Sequence, residues 1–220
     1  MTNAALPELK TYTPEEELWC CIIHGIGAAL SIAALVLLVT LSAIYGSAWT
    51  VVSTAVFGTS MIVLYSASTL YHAASRPELK RRLKKFDHIS IYYLIAGSYT
   101  PFLLVCMRGT VGWIIFGVVW GLALLGTVLK LYSQGSGTRL WSISLYLLMG
   151  WMIIFASKIL FAQLPKTGLV FLVLGGIFYT TGIFFYVWKS RKYTHAIWHF
   201  FVLSGTIMHF FAVLFSCVLV

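Results

Sequence analysis

The chain has 220 residues, of which 60% are hydrophobic, 16% aromatic and only 10% charged, with a formal net charge of +9 and a mean hydropathy of +0.92. So little polar material cannot cover a water-soluble globule, whereas seven spans of about 20 residues nearly use up the chain. The positive charge does not signal nucleic-acid binding, because its densest part is a short stretch between two apolar runs, without the interleaved aromatics of a base-stacking surface.

In chain order, Thr13-Pro14-Glu15-Glu16 reads as a helix start, with Thr13 as N-cap, Pro14 at the first position and Glu16 completing a capping box. The apolar run that follows is too long for the hydrophobic region of a signal peptide and lacks a small-residue cleavage pattern, so it is expected to be retained. Apolar stretches of spanning length place helices near 18–45, 48–71, 88–107, 111–131, 140–160, 168–188 and 196–219. The expected fold is an all-α integral membrane protein, a seven-transmembrane helix bundle forming one domain over 1–220, with 1–17 as a cytoplasmic N-terminal segment. Connections are short, and Gly135-Ser136-Gly137 reads as a flexible turn.

Orientation follows from the lysines and arginines, which resist translocation. One side receives Lys10, Arg76, Lys80, Arg81, Arg82, Lys84, Lys85, Lys130, Arg139, Lys189, Arg191 and Lys192, and the other only Arg108, Lys158 and Lys166. This asymmetry predicts a cytoplasmic N-terminus and an external C-terminus.

Ionisable groups inside bilayer segments are costly and usually pair, ligate or conduct, which directs attention to the six histidines and the single aspartate. The second span ends in Ser68-Thr69-Leu70-Tyr71-His72, with Ser68 and His72 a turn apart on one face. The third is expected to begin at Asp87-His88. The seventh opens with His195-Ala196-Ile197-Trp198-His199, the i, i+4 spacing that lets two imidazoles grip one metal. The topology brings these three helix ends to one leaflet, so His72, His195 and His199 form a candidate Zn2+ site with Asp87 and Ser68 as candidate catalytic groups. Three neutral nitrogens leave one position on zinc for water, the arrangement of a catalytic rather than a structural site. Asp87 could orient that water, accept its proton or ligate, and Ser68 could stabilise an oxyanion.

Each residue also has a plainer reading: interfacial anchoring for the histidine pair, helix capping for Asp87, and back-bonding within its helix for Ser68. Glu17 lies two turns before His24 on the same side of the first span and either pairs with a buried group or is functional. His24 is expected to pair with Glu17 or support the metal from behind, His88 to face headgroups, and His209 to lie too deep for the site. Tyr92, Tyr93, Tyr99 and Thr100 with Pro101 suggest a polar, kinked third helix lining a cavity. Cys20, Cys21, Cys106 and Cys217 lack paired C-x-x-C spacing and are read as bystanders to the metal, although Cys106 and Cys217 fall near the same outer surface, where an oxidising compartment would allow a disulfide.

Together, Glu17 with His24-Gly25-Ile26-Gly27, Ser68-Thr69-Leu70-Tyr71-His72, Phe86-Asp87-His88, Ala96-Gly97-Ser98-Tyr99-Thr100-Pro101-Phe102 and His195-Ala196-Ile197-Trp198-His199 resemble the hemolysin III family, a bacterial branch related to adiponectin and progestin receptors and to alkaline ceramidases. The resemblance spans the full chain. It implies a multi-pass protein of the bacterial plasma (inner) membrane, zinc held by His72, His195 and His199, and Asp87 holding the water on the metal. Three functions follow as expectations: a zinc-dependent hydrolase of a lipid amide or ester, a receptor-like regulator with structural zinc, and, last, a pore-forming cytolysin. The bilayer is the implied partner, with a lipid as substrate or ligand and no nucleic acid; oligomeric state is left open.

Overall fold

The structure is a computed structural model that describes residues 12–132, 138–188 and 190–220, with backbone alone at 138 and 139. The expectations for residues 1–11 and for Gly135-Ser136-Gly137 lie outside the described residues. Among the described residues, seven helices are long and apolar enough to cross a membrane: α1 (Pro14–Tyr45), α2 (Ala48–Ala73), α3 (Pro77–Cys106), α4 (Thr110–Tyr132), α5 (Leu140–Gln163), α6 (Lys166–Val187) and α7 (Thr194–Val218). No strand occurs among the described residues. The fold is therefore the expected all-α membrane bundle. Large apolar side chains such as Leu18, Val36, Trp141 and Phe155 stand exposed on its outside, as lipid-facing groups do.

The start of α1 follows its sequence closely. The Thr13 side chain accepts from the Glu16 N–H, and the Glu16 carboxylate accepts from the Thr13 N–H, forming the capping box. In contrast, α3 begins at Pro77, well before the expected position near 88. Pro77 sits in its first turn, and the Glu-Leu-Lys-Arg-Arg-Leu-Lys-Lys stretch that follows is polar but strongly helix-forming, so the helix extends beyond its apolar run. Asp87 is consequently an interior residue of α3 rather than its N-cap, and the plainer reading of that aspartate is corrected.

The most buried spans are α3, with 72% of its apolar window inside the protein, α2 with 56% and α7 with 44%; the other four lie between 17% and 28%. The three central helices are those that carry the candidate site. Helix α1 packs on α2 and α7, α2 on α3, and α6 on α7. Hydrogen bonds replace the missing hydrophobic drive between helices in lipid. The Tyr65 hydroxyl donates to Thr206 Oγ1 at 2.6 Å, and the Tyr179 and Thr206 hydroxyls lie 2.8 Å apart, joining α2, α6 and α7.

Helix α5 is not regular: its α-helical part ends at Trp151, and Met152–Ala156 form a 3-10 turn before the α-helix resumes at Ser157. The change frees backbone groups that lipid cannot satisfy. Tyr99 on α3 meets both needs, because its hydroxyl donates to the Gly150 carbonyl at 2.8 Å and accepts from the Ile153 N–H at 3.1 Å. Tyr99→Phe is expected to strip both partners and lower stability by about 1–3 kcal/mol; the loss would be read as a lower melting temperature in a detergent-solubilised thermal shift assay.

Candidate metal centre

At the end of the bundle that carries the basic loops, α2, α7 and α1 bring ionisable side chains together in a buried cluster. His199 is the hub. Its Nε2 lies 3.1 Å from Nε2 of His72 and 3.1 Å from Nε2 of His195. Ligands placed about 2.0–2.1 Å from a tetrahedral ion stand roughly 3.3 Å apart, so the His199 nitrogen already has nearly the spacing to each of the other two that one metal would impose. His199 is fully buried, and His72 and His195 are nearly so.

The groups behind the imidazoles set which nitrogen faces the cluster. His72 Nδ1 lies 2.6 Å from Glu17 Oε2; donation to that carboxylate leaves the Nε2 lone pair free. Glu17 is held in turn by Lys80, whose ammonium lies 2.9 Å from Glu17 Oε1 and donates to the Tyr71 and Ala74 carbonyls at the end of α2. His199 Nδ1 lies 2.6 Å from His24 Nε2, which supports the hub from α1. When His199 donates its Nδ1–H to His24, its Nε2 lone pair faces that of His72, an arrangement that a cation between them would stabilise. Glu17→Gln is expected to weaken metal affinity by about 10–100-fold, because an amide is a poorer partner for the His72 N–H; competition against a chromogenic chelator measures this directly.

Cys20 completes the group. One ligand atom from each of Cys20, His72, His195 and His199 lies within 4.8 Å of every other. The expectation that the cysteines are bystanders is corrected for Cys20, whose thiol is fully buried one turn before His24 on α1. Its spacing to the other cysteines carried no signal, but Glu17, Cys20 and His24 recur at i, i+3 and i+7 and so share one helix face. Tyr12 also escaped notice: its ring stacks on His195 at 4.6 Å and 10°, with Trp198 on His195 at 5.0 Å.

Asp87 and Ser68 are both buried, Ser68 one turn before His72 on α2, and both lie outside the four-residue group. Asp87 Oδ2 lies 3.3 Å from His88 Nδ1, and that same nitrogen lies 2.7 Å from the Lys84 carbonyl oxygen. His88 is therefore turned back along its helix and against Asp87, not simply toward headgroups as expected. Ser68 Oγ has no hydrogen-bond partner among the described residues, so the back-bonded reading fails for it. His209, as expected, lies apart from the cluster, edge-on to Tyr179 at 5.1 Å.

An almost wholly apolar cavity of about 350 Å3 runs among α3, α5, α6 and α7; its lining includes Asp87 and His24, the residue behind His199, but none of the four residues of the Cys/His group. On α3 its lining extends from Asp87 to Phe102, about 22 Å along the helix axis. Outside the spans, Tyr193 joins the α7 start to α1: its N–H donates to Glu16 Oε1 at 2.9 Å and its hydroxyl to Glu15 Oε2 at 2.8 Å. The Glu15 carboxylate pushes the Tyr193 phenol pKa up.

Comparison with known proteins follows this architecture. The family model for haemolysin-III related proteins matches residues 12–210, nearly the whole chain. The chain belongs to the hemolysin III family. A hemolysin-3 homolog of Bacillus subtilis (strain 168) is 49% identical over 207 residues, 94% of this chain and 97% of that protein. Hemolysin-3 of Bacillus cereus is 43% identical over 91% of each chain. The human monocyte to macrophage differentiation factor is more distant, 27% identical over 88% of this chain and 81% of its own. The chain is thus a multi-pass member of the hemolysin III family with a Cys/His cluster that could bind a metal ion.

Proposed function

We propose that this protein is a zinc-dependent hydrolase of a lipid amide or ester, acting in the plasma membrane with its basic face in the cytoplasm. The observation that carries this reading is an apolar cavity lined by Asp87 and by His24, which lies 2.6 Å from His199 in a buried Cys/His cluster that could bind a metal ion. His72, His195 and His199 would hold the ion, and imidazole ligands in a near-tetrahedral arrangement suit zinc. When bound, zinc supplies Lewis-acid polarisation of the scissile carbonyl and lowers the pKa of water.

The chain's own residues supply the rest. Asp87 accepts the proton of the attacking water and returns it to the leaving amine or alkoxide. Ser68 Oγ, buried and without a hydrogen-bond partner among the described residues, donates to the oxygen on which negative charge develops. Glu17 and His24 orient His72 and His199, while the cavity walls take the lipid chain and exclude bulk water.

A second reading, a receptor-like regulator in which zinc only ties helices together, is favoured by Cys20, because a fourth protein ligand would close the site. Cys20→Ala separates the two. A hydrolase with three histidine ligands keeps its zinc and its cleavage of amide- and ester-linked lipids in that variant; loss of zinc with a collapse in thermal stability supports the structural role instead. The pore suggested by the relatives' names ranks last, since no stripe of charged residues crosses the described spans.

A further inference from the structure

At the face opposite the basic loops, α3 and α7 each end in a π-helical turn, Phe102–Cys106 and Leu214–Val218. The turn in α3 directly follows Pro101, whose ring nitrogen cannot donate to the helix ladder. The two turns pack against one another. Within them, Cys106 Sγ lies 3.0 Å from Cys217 Sγ and 3.1 Å from the Ser216 carbonyl oxygen. Sulfur atoms this close are about 1 Å from the length of a disulfide bond. Both cysteines are free, Cys217 is buried and Cys106 half-buried, so one sulfur meets the surroundings while the other stands behind it. Cys20 and Cys21 lie at the other end of the bundle, on α1.

We propose that Cys106 and Cys217 are a dithiol site that converts to an interhelical disulfide by exchange with a small disulfide. The Cys106 thiolate attacks one sulfur of the external disulfide, forming a mixed disulfide and expelling one thiolate. The Cys217 thiolate then attacks the Cys106 sulfur, forming the protein disulfide and expelling the second thiolate. The protein loses two protons and two electrons; the external disulfide gains two electrons and leaves as two thiols once those protons are taken up. The bond joins the far ends of the two helices that carry Asp87 in the N-terminal half of α3 and His195 and His199 at the start of α7. With the orientation proposed above, this face is extracytoplasmic, where such a bond persists.

The test uses the full-length protein in detergent, treated with oxidised glutathione, alkylated with a maleimide and mapped by mass spectrometry. Wild type is expected to lose the Cys106 and Cys217 thiols together, yielding a cross-linked peptide pair two hydrogens lighter, while Cys20 and Cys21 form no bond with either. Cys217→Ser should retain glutathione on Cys106, and Cys106→Ser should slow the reaction of Cys217 by about tenfold or more. The oxidised wild type should also melt at a higher temperature than the reduced form, a shift absent from both variants. The proposal is overturned if wild type keeps both thiols, if glutathione stays on Cys106 beside an alkylatable Cys217, or if Cys217 reacts equally fast without Cys106.

Discussion

His199→Ala is expected to empty the metal centre. The residue contributes the nitrogen that lies 3.1 Å from both other imidazole nitrogens, so its loss leaves His72 and His195 without their shared neighbour. Outer-sphere changes at metal sites commonly weaken affinity by about 10–100-fold, and removal of the central ligand should exceed that range. The consequence extends to stability, because metal binding to a folded site is also folding free energy. His24 would lose its partner in a fully buried position, adding an unsatisfied polar group worth about 1–3 kcal/mol. A fall in melting temperature of about 5–10 °C is expected, insensitive to added zinc, whereas that of wild type should fall with a chelator and recover with the metal. An unchanged melting temperature, with wild-type chelator response, would mean that this histidine holds no metal.

Asp87→Asn is expected to do the opposite: keep the metal and lose the chemistry. The substitution preserves shape in a position that is 4% exposed, and it leaves the Cys/His group untouched. It removes the only carboxylate that lines the apolar cavity among the described residues. General acid–base groups contribute about 10²–10⁴-fold, so lipid cleavage should fall by that factor with zinc content and melting temperature near wild type. Equal cleavage rates for wild type and Asp87→Asn would remove Asp87 from the proton transfers.

Much of this arrangement was legible in the sequence because membrane spans are written in long apolar runs and because polar residues within them are few. The positions of Ser68, His72, His195 and His199 at facing helix ends followed from topology alone. The start of α3 did not, since its first turns are helix-forming but cationic and a search for apolar runs stops short of them. That shortfall made Asp87 look like a capping residue. Cys20 was missed for a different reason. The spacing of the cysteines to one another carries no signal; the relevant spacing is to Glu17 and His24 along one face of α1, and the imidazoles that Cys20 meets come from α2 and α7. The 3-10 turn in α5 left no clear mark in its own segment, and its hydroxyl partner is supplied by Tyr99 on a different helix. Features set by two distant segments are the ones that periodicity cannot reveal.

The most direct test is elemental analysis of the purified full-length protein, after removal of loosely bound ions, together with the His72→Ala, His195→Ala and His199→Ala variants. Close to one zinc per chain in wild type, lost in each variant, is the expected result. Well-folded wild-type protein that carries no zinc, and takes up none when it is added back, would contradict the metal centre and with it the proposed hydrolase.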